Sequence, residues 1–159
     1  MDFEKRLERA IVRGQQTRDA QGREAAEKTF SEEELKTLHS KYRLELSEHV
    51  ENCLKKLVEH FPGFRFQTIV GEEGWGAKIS RDDFQGRSAR RNQFSRFEML
   101  VRPFNTTHIV ELAVKATIRN KEIFNRTHYQ FLSQADLDSF NELIDLWVLE
   151  YAESYTART

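Results

Sequence analysis

The stretch Gly86 to Phe97, GRSARRNQFSRF, puts four arginines and two phenylalanines into twelve residues with no acid among them. Guanidinium groups neutralise phosphates, and phenyl rings offer platforms on which unpaired bases stack. The chemistry open to this stretch is therefore an anion or nucleic-acid grip, with Arg87, Arg90, Arg91 and Arg96 as its candidates and Arg81 and Arg102 flanking them. Three features pull the other way. Asp82 and Asp83 stand beside the cluster, Phe97 falls on the inward phase of a strand, and the isoelectric point near 6.5 is far from the basic values of dedicated nucleic-acid domains. A solvated loop running into a strand is the leading expectation, and an anion or nucleic-acid module is the alternative.

Histidine and cysteine make the second constellation. At 100° per residue, His49, Cys53 and His60 fall within about 40° of one another on a helix. One helix could thus present nitrogen, sulfur and nitrogen to a metal. His60, however, lies two turns beyond Cys53, roughly 10 Å away, too far for both to touch one ion. A His49–Cys53 pair would need ligands from elsewhere, and the same face carries Leu38, Tyr42 and Leu46, the marks of a core stripe. The expectation is core packing for Cys53, with no metal site and no cofactor. A Cys53–His49 nucleophile fails on the same ground, because a buried thiol is inert.

The run VGEEGWG, Val70 to Gly76, has the glycines of a phosphate cradle but lacks the following helix and the Lys-Ser/Thr ending, and Glu72 and Glu73 would repel phosphate. It reads as a tight hairpin. No Gly-x-Ser-x-Gly or His-Glu-x-x-His motif occurs, so no catalytic residue is assigned and the reading leans away from an enzyme, although a site in a helix–sheet cleft needs no short signature.

The elements that must position these residues follow from periodicity. Phe3, Leu7 and Ile11 form a narrow helical stripe that fades at Gly14, so residues 1–28 read as an amphipathic arm and a weakly structured connector, and residues 29–159 as a single α+β domain. Ser31-Glu32-Glu33-Glu34 is a capping box, opening a helix of about 28 residues that ends at Phe61-Pro62-Gly63. The period then changes to two. Strands are expected at 64–70, at 75–79, from Phe97 to Val101, from Val110 to Ile118 and from Ile123 to Phe131, joined by short turns. Ser133 reads as the cap of a last helix carrying Leu137, Phe140, Ile144, Trp147 and Tyr151. The order implies a five-stranded antiparallel meander with the long helix and the C-terminal helix on one sheet face. Between them, Phe64, Phe66, Trp75, Phe97, Phe124 and Trp147 would either line a pocket for a small apolar ligand or fill the space.

Composition bounds the rest. Within 159 residues, 38% hydrophobic and 32% charged, twelve phenylalanines suffice for a real core. The net charge of −1 hides ten Lys and Arg against five acids between Arg81 and Arg126, and six acids against one Arg from Ser133 onward. The single cysteine excludes an intrachain disulfide. No apolar run approaches a membrane span, and the charged N-terminus lacks the apolar core of a signal peptide, so the expected location is cytoplasmic with no membrane partner. The C-terminal helix is apolar almost all round, with Leu143, Leu146, Val148 and Leu149 beyond the main stripe. That surface calls for a second contact, and the stripe Phe3, Leu7, Ile11 of another copy would supply it, making a homodimer the expected assembly. Taken together, the expected function is a non-catalytic binding or adaptor domain acting through a protein or small-ligand surface.

Overall fold

The computed structural model describes residues 3–27, 30–83 and 93–158. Helix α1 spans Phe3–Glu27 and does not fade at Gly14 as the sequence stripe suggested. Residues 15–27 offer little to bury, but Gln, Arg, Ala and Glu have high intrinsic helix propensity, and one glycine costs only about 1 kcal/mol. Propensity favours the helix there without an apolar stripe. Helix α1 meets the rest of the chain at the short 3-10 turn Leu132–Gln134.

Helix α2, Glu32–His60, starts where the capping box placed it. The Ser31 hydroxyl accepts a hydrogen bond from the Glu34 amide at 3.1 Å, and Glu32, Glu33 and Glu34 occupy the positive end of the helix dipole. Five strands follow: β1 Arg65–Gly71, β2 Gly74–Asp83, β3 Gln93–Val101, β4 Ile109–Ile118 and β5 Lys121–Phe131. Each pairs antiparallel with the next, in the order β1-β2-β3-β4-β5. Helix α3, Leu137–Arg158, closes the chain. Its cap is Asp136, whose carboxylate accepts from the Asp138 amide at 3.1 Å and whose carbonyl accepts from the Phe140 amide. Ser133, the expected cap, sits instead in the 3-10 turn, with its hydroxyl buried and unpartnered.

Turn chemistry sets the register. Gly71 pairs with Gly74 across the two-residue turn Glu72-Glu73, and Gly74 takes φ +144°, which only glycine adopts freely. Gly76 answers to packing. A Cβ there would strike the Met99 carbonyl and come within 2.7 Å of the Leu100 Cα on β3. The glycines of VGEEGWG thus serve a hairpin rather than a phosphate. Arg119 and Asn120, both with positive φ, make the β4–β5 turn, and Asn120 locks it to β3 by exchanging hydrogen bonds with the Phe94 backbone.

One sheet face is apolar. Ala77 and Ile79, then Phe97, Met99 and Val101, then Val110, Leu112, Val114, Ala116 and Ile118 are all buried and share a core cluster with Leu46, Val50 and Leu54 of α2 and Phe140, Ile144 and Tyr151 of α3. Both helices therefore cover the same face. The Tyr151 hydroxyl, deep in this layer, donates to the Thr117 carbonyl at 2.9 Å. His39 is also buried, with Nε2 3.1 Å from the Arg102 carbonyl and its ring edge-on to Phe104. Burial holds its pKa below the usual histidine value, so it is a neutral donor locking α2 to the end of β3. No helix among the described residues is long and apolar enough to cross a membrane.

Candidate functional site

The arginine stretch divides. Arg87, Arg90 and Arg91 lie outside the described residues. Arg96 points to the sheet face away from the helices, where its guanidinium donates to Glu98 at 2.8 Å. Register makes that face a charge ladder, with Glu98 of β3 between Lys78 of β2 and Lys115 of β4. Such cross-strand pairing of opposite charges supports the sheet. Arg102 pairs with Glu111 at 3.6 Å, and Arg81 donates to the Pro62 carbonyl and the Tyr155 hydroxyl. Arg81, Arg96 and Arg102 are therefore each engaged by groups of the fold itself.

The phenylalanine set goes to the core. Phe64, Phe97, Phe124 and Trp147 are each at most 6% exposed and belong to the central cluster; Phe66 packs half-buried at its edge beneath the Lys55 ammonium. Trp75 is half-buried, with the Arg43 guanidinium stacked 3.8 Å from its ring centre. An apolar opening lies elsewhere. A groove of about 540 Å³ runs between α2 and α3 on their outer side, lined by Cys53, Lys56, Leu57, His60 and Phe61 from one wall and Asp145, Val148, Leu149 and Ala152 from the other.

Helix α2 opens this groove because it packs in two directions. Its buried positions, Leu35, His39, Leu46, Val50, Leu54 and Leu57, form the stripe toward the sheet. Cys53 was expected on that stripe, but Leu54 holds the core position, and Cys53 lies half-buried on the flank that faces α3. The turn from 49 to 53 keeps His49 on the same flank. Asp145 of α3 then meets both. His49 Nε2 is 2.7 Å from Asp145 Oδ1, Cys53 Sγ is 3.4 Å from the same oxygen, and Cys53 Sγ is 3.6 Å from His49 Nε2. Asp145 is the partner the sequence did not point to. It is 92 residues from Cys53 and stands on the exposed face of its own helix, so no local spacing marks it.

These three residue types invite comparison with a nucleophilic relay, and the geometry speaks against one. A relay uses the two imidazole nitrogens separately, one toward the acid and one toward the nucleophile. Here a single nitrogen, Nε2, faces both. Burial, reinforced by the thiol's hydrogen bond to Asp145, also pushes the Cys53 pKa up to about 11, opposite to the shift that activates a thiolate.

Leu149 of α3, which lines the groove, remains 63% exposed, and Leu146 on another side of the helix is 61% exposed. The α1 stripe is open too: Phe3, Leu7, Ile11 and Val12 are all exposed. Two apolar helical surfaces are thus present, and neither is covered by the described residues. No protein-family model, curated protein or solved structure matches the chain.

Proposed function

We propose that this protein is a non-catalytic binding module that works as a homodimer, the first helix of each copy lying in the α2–α3 groove of the other. The observation that carries the reading is the match between the groove and the stripe. Along α2 and its C-cap the groove wall runs from Cys53 to Phe61, eight residue rises or about 12 Å, and the stripe from Phe3 to Ile11 spans the same number of rises.

Charge supports the pairing. Residues 3–13 of α1 carry four Lys and Arg against two Glu, whereas α3 carries five acids against one Arg. Opposite net charges on the two helices steer their encounter before the apolar contacts form. Recognition of an amphipathic helix by an apolar groove is a common mode of peptide binding.

Light scattering over a range of concentrations tests the reading. A mass that rises to twice the 18.8 kDa chain mass is expected. A mass of one chain at every concentration removes the homodimer. A small molecule retained in native mass spectrometry by that single chain would move the groove's occupant to an apolar ligand.

A further inference from the structure

We propose that His49, Cys53 and Asp145 form a binding site for one divalent transition-metal ion of the zinc type, held by Nε2, Sγ and Oδ1. The inference concerns the floor of the α2–α3 seam and requires no second chain.

Three ligand atoms from two helices converge within 4.8 Å of one another. Zinc lies about 2.3 Å from sulfur, about 2.05 Å from imidazole nitrogen and about 2.1 Å from carboxylate oxygen, with tetrahedral angles. Those values require separations of about 3.6 Å for N–S, about 3.6 Å for S–O and about 3.4 Å for N–O. The structure has 3.6, 3.4 and 2.7 Å. Two of the three already fit. The third must open by roughly 0.7 Å, and the Asp145 side chain, 51% exposed on its own helix, has the freedom to rotate by that much.

The hydrogen bonds themselves point to a cation. Oδ1 of Asp145 accepts from the Cys53 thiol and lies hydrogen-bonded to the His49 ring, so one anionic oxygen gathers the polar atoms of both neighbours. An ion at the centre would take over that role. On binding, the thiol proton leaves to solvent, the proton that His49 Nε2 shares with Asp145 is given up to solvent while Nδ1 takes or keeps the one ring proton of the neutral imidazole, and sulfur, nitrogen and oxygen each donate a lone pair to the metal. A soft sulfur, a borderline nitrogen and a single hard oxygen select zinc or cobalt over magnesium or calcium, which demand oxygen-rich shells. The spacing matters as well: His49 and Cys53 are one helical turn apart, which puts both donors on the same side of α2. Three protein ligands leave a fourth position for water.

The test is a titration of the full-length, metal-stripped, reduced chain with cobalt(II) alone. One ion per chain is expected, with the visible bands of a tetrahedral cobalt centre and a sulfur-to-cobalt charge-transfer band in the near ultraviolet, all bleached by added zinc. Cys53→Ser should abolish the charge-transfer band. His49→Ala and Asp145→Asn should each weaken cobalt binding by roughly tenfold or more, while circular dichroism shows both still folded. Absence of the tetrahedral spectrum overturns the proposal. So does a charge-transfer band that survives Cys53→Ser, or cobalt affinity unchanged in either of the other two variants.

Discussion

Replacing Leu7 by aspartate tests the exchange of first helices where its contribution is easiest to calculate. Leu7 is 45% exposed, and burying a whole leucine side chain is worth about 1.5–3 kcal/mol, so covering the open part contributes about 1 kcal/mol. A twofold dimer contains the contact twice, which gives about 2 kcal/mol. An aspartate forced into the apolar groove also loses hydration, at a cost of about 1 kcal/mol or more per site. The total of about 4 kcal/mol corresponds to a dissociation constant raised nearly a thousandfold. Leu149, 63% exposed on the groove's rim, should respond to Leu149→Asp by a similar amount. Sedimentation equilibrium of each variant measures both shifts. Mixing the two is the more searching experiment. The Leu7→Asp chain keeps an intact groove and the Leu149→Asp chain an intact stripe, so a heterodimer regains one whole seam, whereas each homodimer is damaged at both. Because the two substituted positions share one contact, the second aspartate in the heterodimer's other seam removes less than the first, and the mixture should associate more tightly than either variant alone. Variants that self-associate as the parent does, or a mixture no tighter than its components, would refute the reciprocal arrangement.

Three further outcomes follow from the fold. Gly76→Ala should destabilise by about 3 kcal/mol or more in urea unfolding, because its Cβ meets the Met99 carbonyl and the Leu100 Cα, backbone atoms that cannot turn aside as a side chain can. His39 has a folded-state pKa lowered by burial, so the folded chain prefers the neutral ring; its stabilising effect is complete above the unfolded value near 6.5 and is lost as pH falls through 6.5 toward the folded value. In His39→Gln, whose amide can still donate to the Arg102 carbonyl, the urea midpoint should fall less between pH 7 and pH 5 than in the parent, and an unchanged slope would remove His39 from the account. Ser31→Ala should cost about 1 kcal/mol, read as a lower thermal midpoint with the helix content retained, because the Glu34 amide loses the hydroxyl that accepts its hydrogen bond in the first turn of α2.

What was legible in the sequence was whatever depends on neighbours along the chain. The alternation of Val110, Leu112, Val114, Ala116 and Ile118 carries the buried face of β4 without help from anything distant, and each of the five is at most 2% exposed. Ser31 and the break at Phe61-Pro62-Gly63 bracket α2 because caps and breakers act within a few residues. Where local signals fell short, a distant contact or a competing propensity decided. Residues 14–27 are helical although they carry no stripe, because their high intrinsic propensity favours the helix where no periodicity marks it. Ser133 looked like a cap, yet Asp136 is the residue whose carboxylate reaches the free amides of α3.

The site shows the limit of periodicity most sharply at Cys53. Residues 53 and 54 differ by 100° on a helical wheel, and a stripe drawn through Leu46, Val50 and Leu57 passes close to both. Only the position of α3 separates them. Because α3 lies beside α2 over the same sheet face, Leu54 goes down into the core and Cys53 turns sideways to meet Asp145. That sideways turn changes the chemistry available to the thiol. Facing the sheet it would be surrounded by carbon; facing α3 it is joined to an imidazole nitrogen and a carboxylate oxygen at the edge of an apolar groove. The packing of two helices on one sheet therefore creates both the groove and the cluster beneath it. A shift of α3 by one residue's rise, about 1.5 Å along its axis, is comparable to the tolerance of a hydrogen bond and would part Asp145 from both partners.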